Sequence, residues 1–185
     1  MERVTKVSVK EEYESKNGEK HLPEITIEND SYINKMDLEN VIEKIYNNET
    51  VYFFMGDKTC RRCRKVIGEI ASASAEAEKN VCYVALRNEA GEEVIRDNLI
   101  IDDDGRVSIQ KTPHADAYKK LKELCKGIGA VSEKRLYLHK EKICEIDNEI
   151  IYAPVMLKFE NGKCVDMIDF FADDLHEELM EFLGV

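Results

Sequence analysis

Two cysteines three positions apart are the first residues in this chain whose types and spacing could do chemistry. They are Cys60 and Cys63, within Val51-Tyr52-Phe53-Phe54-Met55-Gly56-Asp57-Lys58-Thr59-Cys60-Arg61-Arg62-Cys63-Arg64-Lys65. Thiols at this spacing can close a disulfide, and the thiolate is the nucleophile in the exchange reactions that make and break it. A short, aromatic-rich apolar run ends at Gly56, the pattern of a buried strand. Beyond the cysteines, Cys63, Val66, Ile67, Ile70, Ala71, Ser74 and Ala77 share one face of a helix. Cys60 then stands at a helix N-terminus, where unpaired N–H groups and the macrodipole favour a thiolate. Cys63 falls on the stripe facing the sheet. The expectation is a reactive, exposed Cys60 and a shielded Cys63. Lys58, Arg61, Arg62, Arg64 and Lys65 read either as a solvated helix start or as a field that tunes the Cys60 thiolate and steers acidic partners.

The rival chemistry is metal binding. A structural zinc ion needs four ligands, and there is no second C-x-x-C and no pair of histidines at ligand spacing. No spacing supports recruiting Cys125 or His139. Soft-metal capture is a sharper rival, because residues 55–63 are loosely similar to a copper-chaperone loop; the arginines between the thiols argue against it. No metal and no cofactor is expected. Asp102-Asp103-Asp104-Gly105 lacks the bidentate Glu of a calcium loop and reads as a turn. His21, His114, His139 and His176 are scattered and read as surface residues. Cys82, Cys125, Cys144 and Cys164 read as small buried hydrophobes.

The elements that must position the thiols are legible in order. Residues 4–9 and 22–27 flank an Asn17-Gly18 turn, which suggests an N-terminal hairpin. Asp37 caps a helix burying Leu38, Val41, Ile42 and Ile45, which feeds the Val51 strand. Val81-Cys82-Tyr83-Val84-Ala85-Leu86 is a second buried strand, and strand, helix, strand of this length makes a right-handed parallel unit. Short strands follow at 93–101 and 106–110, then a helix capped at Thr112-Pro113 with Ala117, Tyr118, Leu121, Leu124, Cys125 and Ile128 on its apolar face. A further hairpin joins 135–138 to 143–146. A last helix starts near Asp173-Asp174, with Asp174 and Glu177 in a capping-box pattern.

Ile151-Tyr152-Ala153-Pro154-Val155-Met156-Leu157-Lys158-Phe159-Glu160-Asn161-Gly162-Lys163-Cys164-Val165 resembles the second half of a thioredoxin, where a cis proline opens a strand and an Asn-Gly-Lys turn leads into the next. Together with the cysteine segment, it makes the chain resemble the thioredoxin superfamily. Within that superfamily it is similar to bacterial thioredoxin-like proteins grouped with bacteriocin transport accessory proteins. The resemblance covers about residues 37–87 and 150–185. It implies a cis Ala153-Pro154 bond, Pro154 beside Cys60, and a peptide groove shaped by Ala153, Pro154 and Thr59. Two positions depart from the pattern: Thr59 stands where thioredoxins usually carry tryptophan, and Phe54 where they carry a buried aspartate. The resemblance thus implies a dithiol site rather than a fast general reductase.

The expected fold class is α/β: a thioredoxin fold with a central mixed sheet flanked by helices, an N-terminal hairpin, and a segment at 87–150 inserted before the cis-proline strand. All 185 residues are expected in one domain; the composition, 43% hydrophobic and 35% charged, is that of a globular protein. The net charge of −11 and the lack of a long polybasic run exclude nucleic acid and anionic membranes as natural partners. No segment is long and apolar enough to span a membrane, and cytoplasm is the direct inference, with an exported or lipid-anchored form if a signal segment is missing. The expected function is thiol–disulfide exchange with protein or small-molecule thiols and disulfides, by a monomer. Cys60 attacks, Cys63 resolves, and Arg61 and Arg62 make the pair more oxidising than thioredoxin, above about −270 mV. The alternative is a thioredoxin-fold binding module, or a soft-metal protein, without redox turnover.

Overall fold

A computed structural model describes residues 8–171 and 173–185. Its centre is a five-stranded sheet of β1 (Ile33–Lys35), β2 (Val51–Gly56), β3 (Val81–Ala85), β8 (Val155–Glu160) and β9 (Lys163–Ile168), in the order β1-β3-β2-β8-β9. β1 and β2 run parallel to β3, while β8 is antiparallel to both β2 and β9. This is the mixed sheet of the expected thioredoxin fold. The parallel part follows from helical crossovers, since α2 (Leu38–Tyr46) joins β1 to β2 and α3 (Arg61–Glu76) joins β2 to β3.

Both faces of the sheet are covered, so every residue of β2 is buried. The two-residue period then sorts its side chains. Val51, Phe53 and Met55 join one core with α2 and α4 (Ala115–Cys125). Tyr52 and Phe54 join the other with α1 (Val9–Glu14), α3 and α5 (Leu175–Leu183). The Tyr118 hydroxyl of α4 accepts from the Ile151 N–H at 2.7 Å, fixing the approach to β8. Within 87–150, then, α4 belongs to the core. The rest forms two hairpins, β4 (Asn98–Ile101) with β5 (Val107–Gln110) and β6 (Ser132–His139) with β7 (Lys142–Ile150). Lys140 Nζ donates to the Asp103 carbonyl at 3.1 Å, so the tip of one hairpin rests on the tip of the other. The Asp102–Gly105 stretch is the expected turn, closed by Gly105 N–H on the Asp102 carbonyl at 3.0 Å.

The N-terminal hairpin is absent among the described residues. Residues 4–7 of its first arm lie outside them, Val9–Glu14 is a helix, and 22–27 carries no strand. Ser8 and Glu11 form a capping box that starts the helix at Val9. Asn17 and Gly18 do turn the chain, but the Asn17 amide grips both the N–H and the carbonyl of Ile25, leading into an extended segment. Two caps also differ. Asp37 makes no side-chain bond to its helix, and α4 starts at Ala115 because Thr112 instead donates its hydroxyl to the Ile95 carbonyl at 3.0 Å. Cys82, Cys125 and Cys164 are buried as expected, whereas Cys144 is only half-buried in β7.

Candidate active site at the start of α3

β2 ends at Gly56, and Asp57 turns the chain. Asp57 Oδ1 accepts the Thr59 N–H at 2.7 Å and the Thr59 hydroxyl, and the Cys60 N–H donates to the Asp57 carbonyl at 3.1 Å. Aspartate favours this because its short side chain can mimic a backbone turn. The turn delivers Cys60 as the N-cap of α3, a residue with extended φ and ψ whose sulfur accepts the Cys63 N–H at 3.2 Å. A thiolate here occupies the place of a capping oxygen.

The two thiols are unlike each other. Cys60 is half-buried and Cys63 has 0% exposure, and neither is in a disulfide. The Cys60 thiol titrates at about 6, down from 9.0, chiefly because the Cys63 thiol donates to it; backbone N–H groups of Cys63 and Arg62 add to this, against burial and the charge of Asp57. Cys63 is pushed up, first by its bond to Cys60, then by burial and by the Cys60 charge. One proton is therefore shared out unequally, with the negative charge on the outer sulfur.

The basic cluster is not uniform. Arg62 offers its backbone N–H to Cys60 while its guanidinium lies 4.3 Å over the ring of Phe171, and Arg61 is exposed. Lys58 pairs with Glu89 at 2.7 Å. Arg64 is 1% exposed, so for that residue the solvated reading is wrong.

The Ala153-Pro154 bond is cis. Met55 pairs with Val155 across β2 and β8, so Pro154 lies one residue beyond that pair, at the end of the sheet from which the Asp57–Cys60 turn leaves. Pro154 is buried and Ala153 half-buried. Thr59 lies between Asp57 and Arg87, whose guanidinium donates to the Thr59 hydroxyl at 3.3 Å. Among the described residues no group of three or more His, Cys, Asp and Glu side chains could hold a metal ion. His114 and His176 are surface residues that pair with Glu39 at 2.8 Å and Glu76 at 3.2 Å.

Sequence reasoning missed Asp57, 3% exposed and 3.5 Å from the Arg87 guanidinium. The available signal was an acid followed two residues later by Thr, immediately past a strand. It also missed Glu12, Tyr13 and Tyr83, buried on the α3 side of the sheet. With a strand expected at residues 4–9 and no element expected over 10–14, nothing in the sequence aimed Glu12 and Tyr13 inward.

No protein-family model and no curated relative matches this chain. Solved structures similar to it include a protein provisionally described as an oxidoreductase with a thioredoxin fold, at 12% identity over 82% of this chain and 93% of that one, with a TM-score of 0.46. Another is the solution structure of oxidised thioredoxin from Plasmodium falciparum, at 14% identity over 83% of this chain and 99% of that one, with a TM-score of 0.43. The strand order β1-β3-β2-β8-β9 by itself defines the fold.

Proposed function

We propose that the chain is a thiol–disulfide oxidoreductase acting through Cys60 and Cys63. The observation that carries this reading is the asymmetry of the two thiols: an accessible sulfur titrating at about 6 at a helix N-terminus, backed by a fully buried one. The Cys60 thiolate attacks one sulfur of a substrate disulfide. A Cys60–substrate S–S bond forms, and the other substrate sulfur leaves as a thiolate. Cys63 then loses its proton and attacks the Cys60 sulfur, releasing the second substrate thiolate and leaving the Cys60–Cys63 disulfide. Two electrons pass to the substrate, and an external thiol restores the dithiol. Run backwards, the same steps oxidise a substrate dithiol.

Ala153, Pro154 and Thr59 are the groove residues of this reading, placed at the same end of the sheet as Cys60. The tuning assigned to Arg61 and Arg62 is a screened field beside the thiolate, secondary to the backbone donors. The two hairpins within 87–150 are the additions to a plain thioredoxin in a single domain. The second of them leads into the cis-proline strand, since β7 ends at Ile150. The subtype with bacteriocin transport accessory proteins rests on the sequence resemblance. Among the described residues no helix is long and apolar enough to cross a membrane. The partners of this reading are protein or small-molecule thiols and disulfides.

The test is catalysed reduction of insulin by a small thiol, compared with a Cys60→Ser, Cys63→Ser double variant, alongside alkylation at neutral pH with mass mapping. Catalysis lost in the double variant and first labelling at Cys60 are expected. Equal rates for both proteins would sink the reading.

A further inference from the structure

Behind Cys63 lies a line of buried polar groups that the exchange steps leave unused. Tyr13 on α1 has 0% exposure, and its hydroxyl donates toward the Tyr83 hydroxyl at long range, with no close partner among the described residues. That hydroxyl rests against Gly56, where an added Cβ would stand 3.2 Å from it. The next backbone N–H along, that of Asp57, bonds the Cys63 sulfur. Tyr13 Oη and Cys63 Sγ therefore border the same stretch of backbone. The Tyr83 ring is 5.8 Å from the Tyr13 ring. The Tyr83 hydroxyl donates to Glu12 Oε1 at 3.5 Å, the long end of the hydrogen-bonding range. Glu12 Oε2 in turn takes the Lys35 ammonium at 2.5 Å; the Glu12 side chain is 3% exposed and that of Lys35 31%. The line begins at the innermost thiol and ends at solvent.

Two phenol hydroxyls buried one behind the other carry a desolvation cost that phenylalanine would not, so packing alone does not call for them. We propose that Tyr13, Tyr83, Glu12 and Lys35 form the route by which Cys63 releases its proton. The proposal rests on the dithiol reading above. As Cys63 attacks the Cys60–substrate disulfide, its S–H bond gives up a proton and leaves the electron pair for the new S–S bond. The old S–S bond breaks and the substrate departs as a thiolate. Tyr13 accepts the proton on its oxygen while passing its own to Tyr83, and Tyr83 passes its own to Glu12 Oε1. Neither phenol ends charged, as burial requires. Glu12 then yields the proton to water beside Lys35. The polarity agrees with Tyr83 donating to Glu12.

Cys63 faces Cys60 and Asp57 at the helix start, Tyr13 from α1 and Tyr83 from β3. Glu12 faces Tyr83 and Lys35, and Lys35 is also 3.9 Å from Glu89. Asp57 is the competing acceptor. Its Oδ1 is engaged by the Thr59 N–H, the Thr59 hydroxyl and Arg87, which leaves Oδ2 as the atom that competes with Tyr13 and that Asp57→Asn tests.

The test uses reduced protein in excess over dithionitrobenzoate, with Cys60→Ser as the background. Cys60 attack releases one coloured thiolate and Cys63 resolution a second, so Cys63→Ser gives the first phase alone. Tyr13→Phe, which removes only a hydroxyl, and Glu12→Gln are expected to spare the first phase. They should slow the second by about tenfold or more, within the range of proton-transfer catalysis, and diminish its solvent deuterium effect. An unslowed second phase in both variants, or equal slowing of both phases, would overturn the relay. So would Asp57→Asn abolishing the deuterium effect while Tyr13→Phe keeps it. A wild-type protein without a second phase would instead remove the dithiol reading and the relay together.

Discussion

The Arg64 guanidinium, 1% exposed, donates to the Tyr13 carbonyl at 2.7 Å and so fastens the end of α1 to the first turn of α3. It also donates to the Pro23 and Lys58 carbonyls at 2.7 and 3.1 Å and to Asn17 Oδ1 at 2.6 Å. One side chain thereby ties the N-terminal segment, the Asp57 turn and the reactive helix into one unit.

Arg64→Met should cost about 2–4 kcal/mol, because several buried acceptors lose a charged donor at once. Arg64→Lys should restore little, since a single ammonium cannot serve acceptors spread around a planar fork. Urea denaturation of the reduced proteins checks this, and a loss below about 0.5 kcal/mol for the methionine variant would contradict it.

The rate of Cys60 alkylation should rise with pH to a half-maximum near 6, where its thiol titrates. In Cys63→Ser the midpoint should move upward, because the Cys63 thiol is the largest cause of the lowering. The same shift appears in stability. Cys60 is lowered from 9.0, so its contribution is fully present above 9.0 and is lost as pH falls through 6. Cys63 is raised, so its contribution is present below 9.0 and is lost above that. The Tm of the reduced wild type minus that of Cys60→Ser should therefore grow between pH 6 and pH 9. A flat difference would refute the depressed thiol.

Asp57→Asn should lower the Cys60 alkylation midpoint further. The Asp57 charge opposes both thiolates, and asparagine keeps an acceptor for Thr59. A midpoint that rises would mean the turn matters to Cys60 only through its geometry.

Gly56→Ala should destabilise by about 1–3 kcal/mol through overpacking. The new Cβ would stand 2.7 Å from Phe54 Cζ and 3.2 Å from the Tyr13 hydroxyl, and Phe54 is itself fully buried. Thermal unfolding of the variant is the measurement; an unchanged Tm would show that the ring has room to move.

The sequence carried the sheet and the thiols because their signals are local. The apolar run of β2, the stripe from Cys63 to Ser74 and the helix start at Cys60 each depend on near neighbours. What it hid depends on distant ones. Arg64 looks like its exposed neighbours Arg61 and Arg62, and only acceptors as far away as Asn17 and Pro23 bury it. Glu12 is inward because Lys35 and Tyr83 meet it there. The alternation at residues 4–9 suggested a strand, of which 4–7 lie outside the described residues, and the Ser8–Glu11 capping box starts a helix at Val9.

The pairing of Met55 with Val155 also bears on the order in which the chain can fold. β1, β2 and β3 with α2 and α3 are contiguous and can assemble as soon as Ala85 is available. β8 must then close across both hairpins and α4 to reach β2. Loop-closure entropy grows slowly with length, so this long excursion costs stability little. It costs time instead, because contacts between residues remote in sequence slow folding. Until β8 arrives, the edge of β2 that will pair with it is an open row of N–H and C=O groups on an apolar strand, a template for pairing with another nascent chain.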